Sequence, residues 1–145
     1  MKVSKEFFNG ATIFVGISVY FLLINAFGLA DKFYLRLFNI FFVYYGVNKT
    51  IQSNIMEGQT TFILNVISAM KTSLISVILC IIGLIAYSYM KGGDDYVQSL
   101  SATFLFGGNP SVMTYSICLF FEGIASSVIV TMFAMLHWNS KFIAD

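Results

Sequence analysis

Charge is what this sequence has least of. Lysine, arginine, aspartate and glutamate make up 10% of 145 residues, against 58% hydrophobic residues, and the mean hydropathy is +0.82. Too few polar side chains remain to coat a soluble globule of this length. A formal net charge of +1 offers no clustered basic face, which argues against nucleic acid as a partner. The one histidine, His137, leaves no second imidazole for bis-histidine haem ligation within the chain. Cys80 and Cys118 lie far apart in apolar runs, without the close Cys or His spacing of a metal site, and read as free thiols buried in lipid or between helices. A Ser-His-Asp set, a phosphate-cradling glycine loop and a paired acid dyad are missing as well. No cofactor, no metal and no enzymatic activity is therefore expected.

What the chain does have is apolar runs. A helix needs about 20 apolar residues to cross a hydrocarbon core of ~30 Å, so this length accommodates four crossings with short connections. The expectation is an all-α, four-transmembrane-helix bundle forming a single domain, with spans at 7–29, 33–52, 72–90 and 112–136. The first run exceeds the ~7–15 residues of a secretory signal and is read as a membrane helix. The second is the weakest, because its charge-free part, 37–47, is short and Arg36 must snorkel to one interface. Residues 54–59 read as a polar loop and 60–70 as an interfacial lead-in to the third span. Tyr96 to Phe106 is too short to cross and is placed on the outer surface; Asn109 is suited to cap the fourth helix and Pro110 to open it. Tyr87, Tyr89, Lys91 and Trp138 stand where aromatic and basic rims belong.

With four spans, Lys2, Lys5, Lys49, Lys71 and Lys141 share one side, and Lys32, Arg36 and Lys91 the other. The excess of Lys and Arg in cytoplasmic loops then places both termini in the cytoplasm. The expected setting is the bacterial inner membrane, crossed several times.

Glu122 is the residue that lipid burial does not explain. It is eleventh in the run from Val112, near mid-bilayer, where a charge costs about 2.5–3.5 kcal/mol on insertion scales. It must face the bundle interior and be paired, or be carried as a neutral acid hydrogen-bonded between helices. Counting along antiparallel spans puts Tyr44, Tyr45, Ser76 and Ser18 at its depth, with Asn39 a turn nearer the outer rim and Arg36 nearer still. Glu122, Ser126, Tyr44, Asn39 and Ser76 are the intramembrane polar candidates. Ser116, Gly123, Ser127 and Ala134 form a stripe of small side chains on the fourth helix, suited to close helix packing.

The element Phe41-Phe42-Val43-Tyr44-Tyr45-Gly46-Val47, a short polar loop with Gly58, and a third span ending Ala86-Tyr87-Ser88-Tyr89-Met90 together resemble a family of small four-span bacterial membrane proteins of unknown function. The resemblance covers about the middle third, 41–90, and implies an inner-membrane protein of four helices; it carries over no functional residue. The function expected first is a non-catalytic accessory or structural subunit of a larger membrane complex, with the lipid bilayer and other membrane subunits as partners. The alternative is a small oligomeric transporter or channel using Glu122, in which case a homo-oligomer is the working unit.

Overall fold

The computed structural model describes residues 4–101 and 108–142. Lys2 and the end of the surface stretch, 102–107, lie outside the described residues. Among those described, every regular element is helical: α1 (Lys5–Ala26), α2 (Phe33–Arg36), α3 (Asn39–Met56), α4 (Phe62–Lys91), α5 (Asp94–Leu100) and α6 (Val112–His137), followed by a 3-10 turn at Asn139–Lys141.

Three of these helices, α1, α4 and α6, are long and apolar enough to cross a membrane. The expected second span is not a fourth of that kind. It is the four-residue α2 followed by the 18-residue α3, which carries Asn39, Asn48, Lys49, Gln52 and Asn54. Leu37 and Phe38 between them keep right-handed helical dihedrals and are joined by tight i to i+3 bonds such as Leu37 N to Tyr34 O. The run 33–56 is thus one bent helical stretch, about 36 Å long at ~1.5 Å per residue.

Two other expectations change. The lead-in and the third span are a single helix, α4, of 30 residues, because Asn65 and Ala69 bury on the same face as Thr72, Ser73 and Ser76. Ser111, not Asn109, caps α6: it is extended and its hydroxyl accepts from Thr114 N, so the helix opens at Val112, beyond Pro110. The C-terminal ends of α1 and α3 turn at Gly28 (φ 69°) and Gly58 (φ 80°), left-handed conformations that glycine adopts without steric cost.

α4 packs against α1, α3 and α6, and α3 against α1, α4 and α6, so α1 and α6 flank a central α3–α4 pair. On α4 the polarity of the packing is inverted relative to a soluble bundle. The buried face of α4 is Asn65, Ala69, Thr72, Ser73, Ser76 and Ser88, while Ile63, Leu64, Ile67, Ile78 and Ile82 are exposed. Such a surface is stable only in an apolar solvent, where small and polar side chains become the packing face.

Candidate functional site

The helices are held together most tightly at one end. There Asn9 of α1 donates to Thr50 Oγ1 of α3 (2.9 Å), and Thr50 pairs with Thr72 of α4 (2.9 Å). A turn further on, Asn54 donates to Asn65 Oδ1 (3.1 Å). All five side chains are buried. Asn54, expected in a loop, belongs to this seam because the periodicity 43, 46, 47, 50, 51, 54 turns it inward. Lys5 pairs with Glu57 (2.6 Å) and Trp138 donates to Asn48 Oδ1 (2.6 Å), closing the same end.

Towards the other end the packing opens. No residue of α1 is buried between Ile13 and Ile24, none of α4 between Ser76 and Ser88, and none of α6 between Ser116 and Ser127. The three gaps coincide at a cavity of about 340 Å³, within the ~300–1,000 Å³ range of ligand pockets. Its walls are mainly apolar, with Phe14, Ile17, Phe21, Val77, Ile81 and Leu119 among them. α5 packs beside this end: Val97 and Leu100 join Val112 and Tyr115 in a small core, and Asp94 Oδ1 accepts from Val112 N (2.7 Å) at the start of α6.

The charged side chains of the cavity, Arg36 and Glu122, lie on its α2 and α6 walls, while Ser18 and Ser76 add hydroxyls from α1 and α4. Arg36 donates through Nη1 to Tyr115 Oη (2.7 Å) and through Nη2 to Glu122 Oε2 (3.2 Å). Glu122 is therefore paired, but with Arg36 rather than with the tyrosines or serines expected beside it, and at 48% exposure its side chain lies at the open edge of the cavity rather than in the bundle interior. Tyr20 Oη donates to Leu35 O (2.9 Å), which ties α2 to α1 beside the cavity, next to Arg36. Glu122 is the only acidic residue inside the predicted spans and Arg36 and Lys49 the only basic ones, so charge alone narrowed its partner to two; Tyr115 carried no such signal.

Asn39, Ser76, Glu122 and Ser126 all line this cavity, as does Cys80. Tyr44 does not; it packs against the apolar core around Val47 and Val130. Asn39 Oδ1 is buried and has no hydrogen-bond partner among the described residues. The small-residue stripe is on the packed side of α6: Ser116, Ser127 and Ala134 are buried, and a Cβ at Gly123 would stand 2.8 Å from Val77 Cγ1 of α4. Outside the membrane-length helices, burial pushes the Tyr96 hydroxyl up to about 12, helped by the nearby Tyr87 and Tyr115, and Tyr96 donates to Asn25 Oδ1 (3.2 Å). The hydrogen bond from Lys32 lowers Asp31 in the α1–α2 turn.

No protein-family model, curated protein or solved structure matches this chain. The chemistry of the site thus rests on its own geometry. An apolar chamber with a single guanidinium–carboxylate pair in its wall can hold a molecule that has both an apolar body and a charged or strongly polar end.

Proposed function

We propose that this chain is a non-catalytic, multi-pass membrane protein that binds a lipid-borne amphiphile within the helical array. In this reading the bent stretch 33–56 makes the second of four crossings, and the positive-charge excess at Lys5, Lys49, Lys71 and Lys141 puts both termini in the cytoplasm. The membrane is the bacterial inner membrane, as the resemblance to small four-span proteins suggests. The cavity then lies in the outer half of the bilayer.

The observation that carries the reading is the convergence of α1, α2, α3, α4 and α6 on one cavity with Arg36, Tyr115 and Glu122 in its wall. It favours the ligand-handling role of Glu122 over a purely structural subunit. A structural subunit gains nothing from gaps in three helices at one level, each of which forfeits packing contacts. Service to a larger membrane assembly is compatible with the binding role.

Extraction into lipid nanodiscs followed by native mass spectrometry tests the proposal. The wild-type protein retains a stoichiometric amphiphile through purification, and Ser126→Phe, which fills the chamber, releases it. Recovery of the wild-type chain without any bound amphiphile refutes the reading. Topology is read separately from single cysteines at Asp31 and Gln59, which label from opposite sides if 33–56 crosses.

A further inference from the structure

Resting on that binding role, we infer that the ligand's head is zwitterionic: an anionic group taken by Arg36 and a primary ammonium taken by Glu122 and Asn39, with the alkyl body in the cavity. Three observations lead there.

The first is charge balance. The site presents one cation and one anion on different helices, so it is neutral as a whole. A purely anionic or purely cationic guest would leave an uncompensated charge in hydrocarbon, at a cost of a few kcal/mol. A guest carrying both charges pairs with each half and leaves the total at zero.

The second is the looseness of the existing pair. Arg36 and Glu122 meet at 3.2 Å, longer than the ~2.7–2.9 Å of a well-made charge-assisted hydrogen bond. The Arg36 side chain is 21% exposed and held by Tyr115, whereas that of Glu122 is 48% exposed. Glu122 is the half that can turn to a new partner while Tyr115 keeps Arg36 in place for the guest's anion.

The third is Asn39. Its buried Oδ1 accepts nothing among the described residues, and an unmet buried acceptor is costly. A primary ammonium offers three donors, enough for Glu122 and, once a side-chain rotation turns its Oδ1 into the chamber that Asn39 lines, for Asn39 as well. A quaternary ammonium offers none, so the site should tell the two apart. The chemistry is that of an aminoalkyl phosphate or amino-acid head on an alkyl chain, supplied either by a bilayer phospholipid or by a free single-chain amphiphile.

The test is a headgroup series on the full chain in phosphatidylcholine nanodiscs, read by native mass spectrometry. The probes are lysophosphatidylethanolamine, lysophosphatidylcholine, lysophosphatidic acid and dodecylamine. Lysophosphatidylethanolamine should occupy the wild-type protein at least fivefold more than each of the others. Arg36→Gln and Glu122→Gln should each erase that preference while retaining weak, headgroup-independent binding; Asn39→Leu should narrow the gap between the ethanolamine and choline heads. Equal occupancy by all four, or any other probe matching or outranking lysophosphatidylethanolamine, overturns the assignment. That result comes from the wild-type chain and does not depend on a variant folding. If no probe binds, or if Ser126→Phe binds all four as the wild type does, the underlying cavity reading fails instead. Nanodiscs of diacyl phosphatidylethanolamine separate the two sources: loss of lysolipid uptake there makes the bilayer lipid the occupant, and undiminished uptake makes it the single-chain form, both in support of a zwitterionic head.

Discussion

Thr50→Val tests how the helices are fastened, because the substitution keeps the shape of a fully buried side chain and removes only the hydroxyl. Thr50 Oγ1 accepts from Asn9 Nδ2 (2.9 Å), pairs with Thr72 Oγ1 (2.9 Å) and lies 3.1 Å from Gly46 O. Thr72 Oγ1 in turn lies 2.9 Å from Ser68 O. Two hydroxyl protons thus serve three contacts, to Gly46 O, Ser68 O and the partner hydroxyl, so one of the three is without a proton at any moment, although both carbonyls also accept helical N–H groups. Removing Thr50's hydroxyl lets Thr72 donate steadily to Ser68 O, which offsets part of the loss. Asn9 has no such recourse: it is buried and its amide has no other described acceptor. An orphaned buried donor costs about 1–3 kcal/mol, while interhelical hydrogen bonds in membranes average ~0.6 and reach ~1.7 kcal/mol. The membrane figure governs here, because the separated helices also find internal partners, and the expected loss is about 1–1.5 kcal/mol, roughly a tenfold change in the equilibrium constant. The assay is reversible unfolding in mixed micelles of Thr50→Val, Asn9→Leu and the double variant. The double variant should cost at least ~0.5 kcal/mol less than the sum of the singles, since either single change breaks the same bond. A neutral Thr50→Val, or strict additivity, refutes the seam as the fastening.

Gly123→Ala should destabilise by about 1–3 kcal/mol, because its Cβ would meet Val77 Cγ1 at 2.8 Å; Val77→Ala in the same chain should restore most of the loss, and thermal melts that show no rescue remove the α4–α6 contact as the cause. Asp94→Ala should cost about 1 kcal/mol by uncapping Val112 N, with Asp94→Asn costing less; equal melting of all three proteins rejects the cap. Tyr96 ionises near 12 when folded against an ordinary 10.0. Its contribution is fully present below pH 10 and is lost as the pH rises towards 12, since the unfolded chain gives up the proton first. The stability difference between wild type and Tyr96→Phe should therefore shift across that interval, and a difference independent of pH would contradict the burial.

The membrane character was legible from composition, and α1, α4 and α6 from the length of their apolar runs, because insertion depends on the summed transfer free energy of a segment and little on its neighbours. The small stripe Ser116, Gly123, Ser127 and Ala134 was legible for the same kind of reason: its spacing puts all four on one helix face whatever that face meets. Glu122 was legible as a residue needing a partner. Its partner was not. Counting residues along straight antiparallel helices misplaces Arg36, because the helix is interrupted at Leu37–Phe38 and Tyr20 ties α2 to α1. Asn54 and Asn65 were likewise assigned to a loop and an interface, since polar residues near a span end look the same in sequence whether they face water or each other.

Alone, then, the sequence determined which segments prefer lipid and which side chains cannot rest there unpaired. Only the tertiary structure decided the pairings, Arg36 with Glu122 and Tyr115, Thr50 with Asn9 and Thr72, and the cavity among α1, α3, α4 and α6. The physical reason is that segment hydropathy is a sum over one helix, whereas a pairing or a gap depends on the relative tilt, bend and register of several, which no single segment encodes.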